Sequence, residues 1–275
     1  MRIDSHQHFW VYDPQRDSWM NEDMQAIRRD FLPQDLFPLL QQNNIDGCIA
    51  VQAGQSTNET DFLLQLADKN DIIKGVVGWI DLRGGDIEKQ LEKYSSYTKL
   101  KGFRHIVQDE PQENFLLRDD FCNGISLLKN FQFTYDILVY SSQLKSVIEF
   151  IRLFPEQHFV IDHIGKPDIK NRKIEAWQTD MKEIAKYTNV YCKLSGMVTE
   201  ANVNRWTVAD FTPYIEFILE SFGTDRIMFG SDWPVCLLAA SYSQCCEILE
   251  HSTEHLNQDE KRKLWGENAT RFYHI

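Results

Sequence analysis

Two histidines, His6 and His8, flank Gln7 near the start of the chain. On a strand, side chains two apart point the same way, so both imidazoles converge on one spot. Such a pair can relay protons, orient a carboxylate or take part in binding. A carboxylate able to join them, Asp232, follows Phe229-Gly230-Ser231 far downstream, where Gly230 permits tight backbone geometry. A third imidazole, His163, lies in Asp162-His163-Ile164-Gly165-Lys166-Pro167. Consecutive strand residues point to opposite sides, so His163 is read as facing the other imidazoles and Asp162 as turned away. The same rule allows at most one of Arg104 and His105 to reach the site. Lys193 is a cation in an apolar run, which is costly to bury without an anion such as Asp232 or Asp136. Asp136 can alternatively pair with Arg104. Gln52, Trp79, Asp81, Tyr140 and Trp233 are weaker candidates for a polar, aromatic pocket of the kind sugars need, and each Trp can equally be core. His251 and His255 lack the Glu of a zinc-protease helix and are read as exposed, while His158 and His274 are read as structural.

These residues come together only if particular elements carry them. Eight segments read as buried strands: Arg2–His6, Gly47–Gln52, Lys74–Ile80, Lys101–Ile106, Thr134–Val139, His158–His163, Asn189–Leu194 and Arg226–Gly230. Most are rich in Val, Ile, Phe or Tyr, as strands covered on both faces are. Helical spacing lies between them, in Pro33–Gln42, Thr60–Lys69, Leu144–Phe154, Trp177–Lys186 and Phe211–Ser221. Strand and helix in alternation imply a parallel sheet, and eight such units can close into an α/β barrel of the (β/α)8 TIM type. In that fold the strand C-termini carry the active site, and the first strand neighbours the eighth. Closure would bring Asp232 to His6 and His8. The connections from Phe9 to Phe31 and from Val107 to Phe133 are long enough to wall or cover the mouth.

The 275 residues suit a single barrel domain spanning 1–275, since such folds take about 250. Hydrophobic content of 43% and charged content of 25% are those of a soluble globular protein. A formal charge of −12 argues against nucleic acid and against anionic membranes as partners, and leaves a small-molecule substrate. No stretch approaches the ~20 apolar residues of a membrane span. Met1-Arg2-Ile3 runs straight into the first motif, so no leader is expected. The six cysteines show no paired metal spacing and no disulfide framework, which points to reduced thiols in a cytoplasm. Oligomeric state is not encoded in any of these features.

Several motifs together resemble the amidohydrolase-related lactonases. They are Asp4-Ser5-His6-Gln7-His8-Phe9-Trp10, Gly75-Val76-Val77-Gly78-Trp79, Lys101-Gly102-Phe103-Arg104-His105, Cys192-Lys193-Leu194-Ser195-Gly196, Gly230-Ser231-Asp232-Trp233-Pro234-Val235 and Asn268-Ala269-Thr270-Arg271-Phe272-Tyr273, with the Asp162 motif above. Within that group the chain is similar to L-fuconolactonases and L-rhamnonolactonases, and more distantly to 2-pyrone-4,6-dicarboxylate lactonase. The resemblance implies a barrel that hydrolyses a cyclic ester, with His6, His8, His163 and Asp232 as the catalytic centre. Asp232 would activate water, Arg104, Lys193, Trp79, Tyr140 and Trp233 would bind substrate, and the expected substrate is an aldonolactone. The fifth strand lacks the His of two-metal amidohydrolases. The expectation is therefore either no required metal or one divalent ion, zinc being the candidate, on His6, His8 and Asp232. A metal-dependent amidohydrolase or decarboxylase is the alternative reading, and a noncatalytic carbohydrate-binding barrel a further one.

Overall fold

The structure, a computed structural model, describes residues 1–203 and 205–275. Eight parallel strands lie in chain order in one sheet: β1 (Ile3–Gln7), β2 (Gly47–Val51), β3 (Ile73–Gly78), β4 (Leu100–Ile106), β5 (Thr134–Leu138), β6 (Phe159–Ile161), β7 (Val190–Leu194) and β8 (Ile227–Phe229). The sheet closes. Ser5 Oγ donates to the Phe229 carbonyl (2.6 Å), Asp232 N to His6 O (2.8 Å), and His8 N to Trp233 O (2.7 Å). Asp4 clasps the same seam, accepting from Ser231 N (2.9 Å), Ser231 Oγ (2.6 Å) and Tyr242 Oη (3.0 Å).

Helices cover the outside of the barrel. They are α1 (Pro33–Gln42), α2 (Thr57–Lys69), α3 (Ile87–Ser95), α4 (Asp119–Leu128), α5 (Leu144–Leu153), α6 (Glu175–Ile184), α7 (Met197–Glu200), α8 (Val208–Phe222), α9 (Tyr242–Ser252), α10 (Gln258–Arg262) and α11 (Asn268–Phe272). None among the described residues is long and apolar enough to cross a membrane. α2 is capped by Ser56, whose hydroxyl accepts from Glu59 N and so satisfies one free helix donor. α5 buries Leu144, Val147, Phe150 and Ile151 along one stripe, which faces the sheet.

The period of two along the strands separates an outer apolar layer from an inner mixed one. Phe103, Tyr135, Phe159 and Val190 are consecutive register partners, and all join the large core between sheet and helices. Their neighbours Arg104, Asp136 and Val160 form the adjacent register row, on the barrel's inner side. Deeper inside, Ile3, Ile49, Val51, Val77, Val160 and Met228 pack with Phe272 and Tyr273 from the segment around α11. At about 25 cal/mol per Å2 of apolar surface, each of these buried side chains contributes roughly 1.5–3 kcal/mol. Their packing is the platform on which the polar residues stand.

The largest departure from the expected strands is at β6. It ends at Ile161, and the chain continues as a short 3-10 turn over Asp162–Gly165 in which His163 and Ile164 take positive φ (54° and 49°). The face-alternation rule therefore stops applying just where the site begins.

Candidate active site

The site sits where the strands end at one mouth of the barrel. His6 belongs to β1 and His8 follows it; both are buried. His8 Nδ1 donates to the Val51 carbonyl at the end of β2 (2.8 Å), which turns Nε2 toward Asp232 Oδ1 at 3.3 Å. His6 Nε2 lies 3.8 Å from the same carboxylate oxygen. The carboxylate from beyond β8 thus meets both histidines of β1, as closure of the barrel requires. Gly230 makes this possible, because a Cβ there would stand 2.7 Å from His6 Cβ. Asp232 itself holds a positive φ of 58°, a backbone strain of the kind that concentrates at functional sites.

His163 reaches the same space from the turn after β6. Its ring centroid is 4.4 Å from that of His6, and its Nδ1 pairs with Ser195 Oγ at 3.0 Å. Gly196, in the left-handed region at φ 63°, leaves the room for this ring, since any side chain there would collide with His163 Nδ1. Asp162 was expected to turn away and does not. Its Oδ1 is 3.2 Å from His6 Nδ1 and 3.1 Å from Lys193 Nζ, and its Oδ2 accepts from Arg104 Nη1 at 3.0 Å. Because the chain leaves the strand at Ile161, neighbours in sequence both point inward.

Of the adjacent pair on β4, Arg104 faces in and His105 faces out. Arg104 donates to Asp162 and to the Gln52 carbonyl, while Gln52 Nε2 returns a bond to the Arg104 carbonyl at 3.2 Å. His105 pairs with Glu110 (2.7 Å), stacks on Phe115 and accepts from Trp79 Nε1 (3.2 Å). Trp79 therefore supports the outer layer and is not a wall of the cavity. Trp233 is also displaced from its expected role. It is buried edge-to-face against Phe9 and Phe31 and packs the loop that follows β1. Lys193 is beneath the cavity with no exposed surface, so it cannot touch a substrate in this structure. Its Nζ is 2.5 Å from Asp136 Oδ2, which also accepts from Tyr273 Oη at 2.8 Å. Tyr140 is 43% exposed at the rim, where the Lys166 ammonium lies 5.3 Å from its ring centroid. Asp81 is exposed and pairs with Arg83.

A cavity of about 190 Å3 opens here, lined by His8, Trp19, Arg104, His163, Lys166 and Asp232, with Ala53 and the loops after β4 and β7. Lys166 and Trp19 were not picked out from the sequence. Lys166 stood inside a quoted motif, directly after Gly165, and Trp19 within a connection expected to wall the mouth.

The charges in this cluster are set by burial and by each other. Burial pushes the His6 and His163 imidazoles well below their ordinary value, so both are neutral at pH 7. Burial works against ionisation of Asp232 too, but its contact with His8 and the nearby Lys166 ammonium oppose this, and the carboxyl lies below its ordinary value. Asp162 shows the same contest, and Lys193, His6 and Arg104 keep it ionised. Asp136 goes the other way: burial, with the nearby Asp162 charge, pushes it up to about 6 despite Lys193.

The surroundings favour the form of His6 that is protonated on Nδ1, since only that nitrogen has an acceptor within hydrogen-bond distance. Lys193 Nζ lies 3.1 Å from Nδ1 and Arg104 Nη1 lies 3.2 Å from Nε2, so a donor stands by whichever nitrogen is bare. When Nδ1 carries the proton, Asp162 Oδ1 receives it; that oxygen is otherwise buried without a well-formed hydrogen bond. His6, His8 and Asp232 present ligand atoms within 4.8 Å of one another, a donor set that suits one zinc. The carbonyl behind His8 and the carboxylate behind His6 are the partners that fix metal-binding imidazoles, so the residues fit a single divalent ion. Arg104 and such an ion would compete for the Nε2 lone pair of His6.

Comparison with known proteins agrees with this architecture. An L-fucono-1,5-lactonase from Burkholderia multivorans is 40% identical over 284 aligned residues, covering 99% of this chain and 96% of that one. One from Burkholderia ambifaria is 33% identical, covering 100% and 96%. A crystal structure of a Burkholderia multivorans amidohydrolase with bound zinc superposes with a TM-score of 0.97 at 39% identity, covering 100% of this chain and 99% of that one. Residues 3–275 match the amidohydrolase family, and with relatives of this identity over the whole length, the chain belongs to it.

Proposed function

We propose that this protein hydrolyses a sugar lactone to its open-chain acid, with Asp232 as the base that activates water. The observation that carries this reading is the convergence on one cavity of an ionised Asp232, the His8 and His163 imidazoles and the Arg104 guanidinium. The lactonase names of the full-length relatives set the substrate class.

The chemistry follows from what the residues can do. Water attacks the lactone carbonyl, forming a C–O bond while charge gathers on the carbonyl oxygen. Arg104 supplies N–H donors toward that charge, preorganised by Asp162 and Gln52. Asp232 takes the water proton. The ring C–O bond then breaks, and the proton passes to the departing ring oxygen, which remains in the product as a hydroxyl. His163, with Nδ1 committed to Ser195, keeps its other nitrogen for the substrate. Lys166 adds a cation at the cavity edge for the carboxylate product. His6 and His8 hold Asp232 in place, and with it they would hold one divalent ion. That ion would polarise the carbonyl and lower the pKa of water. The six free cysteines fit a reducing, cytoplasmic setting.

The test is acid release, followed with a pH indicator, across L-fucono-, L-rhamnono- and galactonolactones, each with and without chelator. Turnover on at least one of them is expected. Absence of turnover on all, by folded protein with and without added zinc, would overturn the reading.

A further inference from the structure

Beside the catalytic cavity lies a second, larger chamber of about 640 Å3, bordered by Arg16, Gln55, Asn58 and Phe62. Trp19 and Ala53 line both spaces, and Trp19 is the only large side chain of the two. At about 190 Å3 the catalytic cavity is smaller than the roughly 300–1,000 Å3 typical of small-molecule pockets, whereas the outer chamber falls within that range.

Trp19 packs against an anchored neighbour. Its ring meets Trp10 edge-to-face at 6.2 Å, and Trp10 is buried and fixed by Nε1 donating to the Arg29 carbonyl (2.9 Å). Backbone bonds between Trp10 and Phe31 lock the base of the loop. At its tip, Asp17 accepts from Asp13 N and pairs with Arg16, and Met20 N donates to the Asp17 carbonyl. The indole nevertheless remains 43% exposed, so no core depends on it.

We propose that Trp19 sets the upper size of the substrate: its indole is the partition that restricts the catalytic cavity to one sugar ring and excludes lactones bearing a second. The inference rests on the lactonase reading above. Removing the indole joins the two chambers, and the outer one offers Asn58, Gln55 and Arg16 to hydroxyls of an added ring.

The experiment compares kcat/KM for lactobiono-δ-lactone, a two-ring substrate, with that for the best one-ring lactone of the screen. In Trp19→Ala the two-ring to one-ring ratio is expected to rise about tenfold, the scale of a modest change in pocket fit, and in Trp19→Phe by less. A ratio that rises less than threefold in Trp19→Ala overturns the proposal, including the case where both substrates lose activity in parallel. If the wild type opens no lactone, the lactonase reading fails separately. The size limit is then read from calorimetric binding of lactobionate against galactonate, and a Trp19→Ala protein that binds lactobionate no better than wild type overturns it.

Discussion

The mouth of the barrel and the layer just beneath it are built from the same kinds of residue, yet they do different work. At the mouth, Asp232, His8, His163 and Arg104 border a cavity. One layer down, Lys193, Asp136, Asp162 and the Tyr273 hydroxyl are sealed from solvent and bond to one another and to His6 and Arg104 above them. Breaking a buried ion pair leaves an uncompensated charge, whereas a group facing a cavity can be changed with little harm to the fold. The lower layer should therefore be measured by stability and the upper one by turnover.

Three experiments sharpen that contrast. Asp232→Asn is nearly isosteric and removes the base; kcat should fall about 10^2- to 10^4-fold while the thermal midpoint barely moves. Steady-state kinetics and a melting curve read the two together, and near-normal turnover would remove Asp232 from the mechanism. Asp136→Ala strips Lys193 of its nearest anion and should cost about 3–5 kcal/mol in chemical denaturation, with activity lost through unfolding. If instead the variant is as stable as wild type but inactive, the lower layer is catalytic and the contrast is wrong.

The smallest effect is the one with pH. His6 and His163, in the site, and His105, outside it, all have pKa values below the ordinary 6.5, with burial as the main cause. The unfolded chain takes up protons near pH 6.5 that the folded chain refuses. Stability is thus complete above that pH and declines as the pH falls below it, by up to about 1.4 kcal/mol per pH unit for each group. The Asp4 and Asp136 carboxyls, raised to about 6 by burial, take up protons in the folded state over the same range and act in the opposite direction, so the check is an NMR titration of the imidazole protons between pH 7 and 5; a His6 or His163 ring that protonates near pH 6.5 would contradict neutral, buried imidazoles.

Much of this arrangement was legible in the chain. Eight apolar segments in alternation with helical ones gave the barrel, and barrel closure alone placed Asp232 beside His6 and His8. What escaped was local. Asp162 was assigned to the wrong side because a strand was extended through His163, although Gly165 and Pro167 signal a turn close by. The aromatic residues misled for a different reason. Trp79 and Trp233 stand next to strand ends, but whether an indole faces a cavity or a packing partner depends on loops such as Phe9 to Phe31, whose course no periodicity reveals. Lys193 was correctly assigned a buried anion, and the structure chose Asp136 for it over Asp232.

The seam where Asp4 grips Ser231 and Tyr242 has a consequence for biosynthesis. A nascent chain that has emerged only through β7 carries the imidazoles of β1 and the charged residues of the middle strands, but it has neither the carboxylate nor the tyrosine that stabilise them. Its first strand remains an open edge until the eighth arrives. Competence is therefore acquired abruptly and late in translation, and a ribosome-stalled fragment lacking β8 should be inert however much of the barrel it has already built.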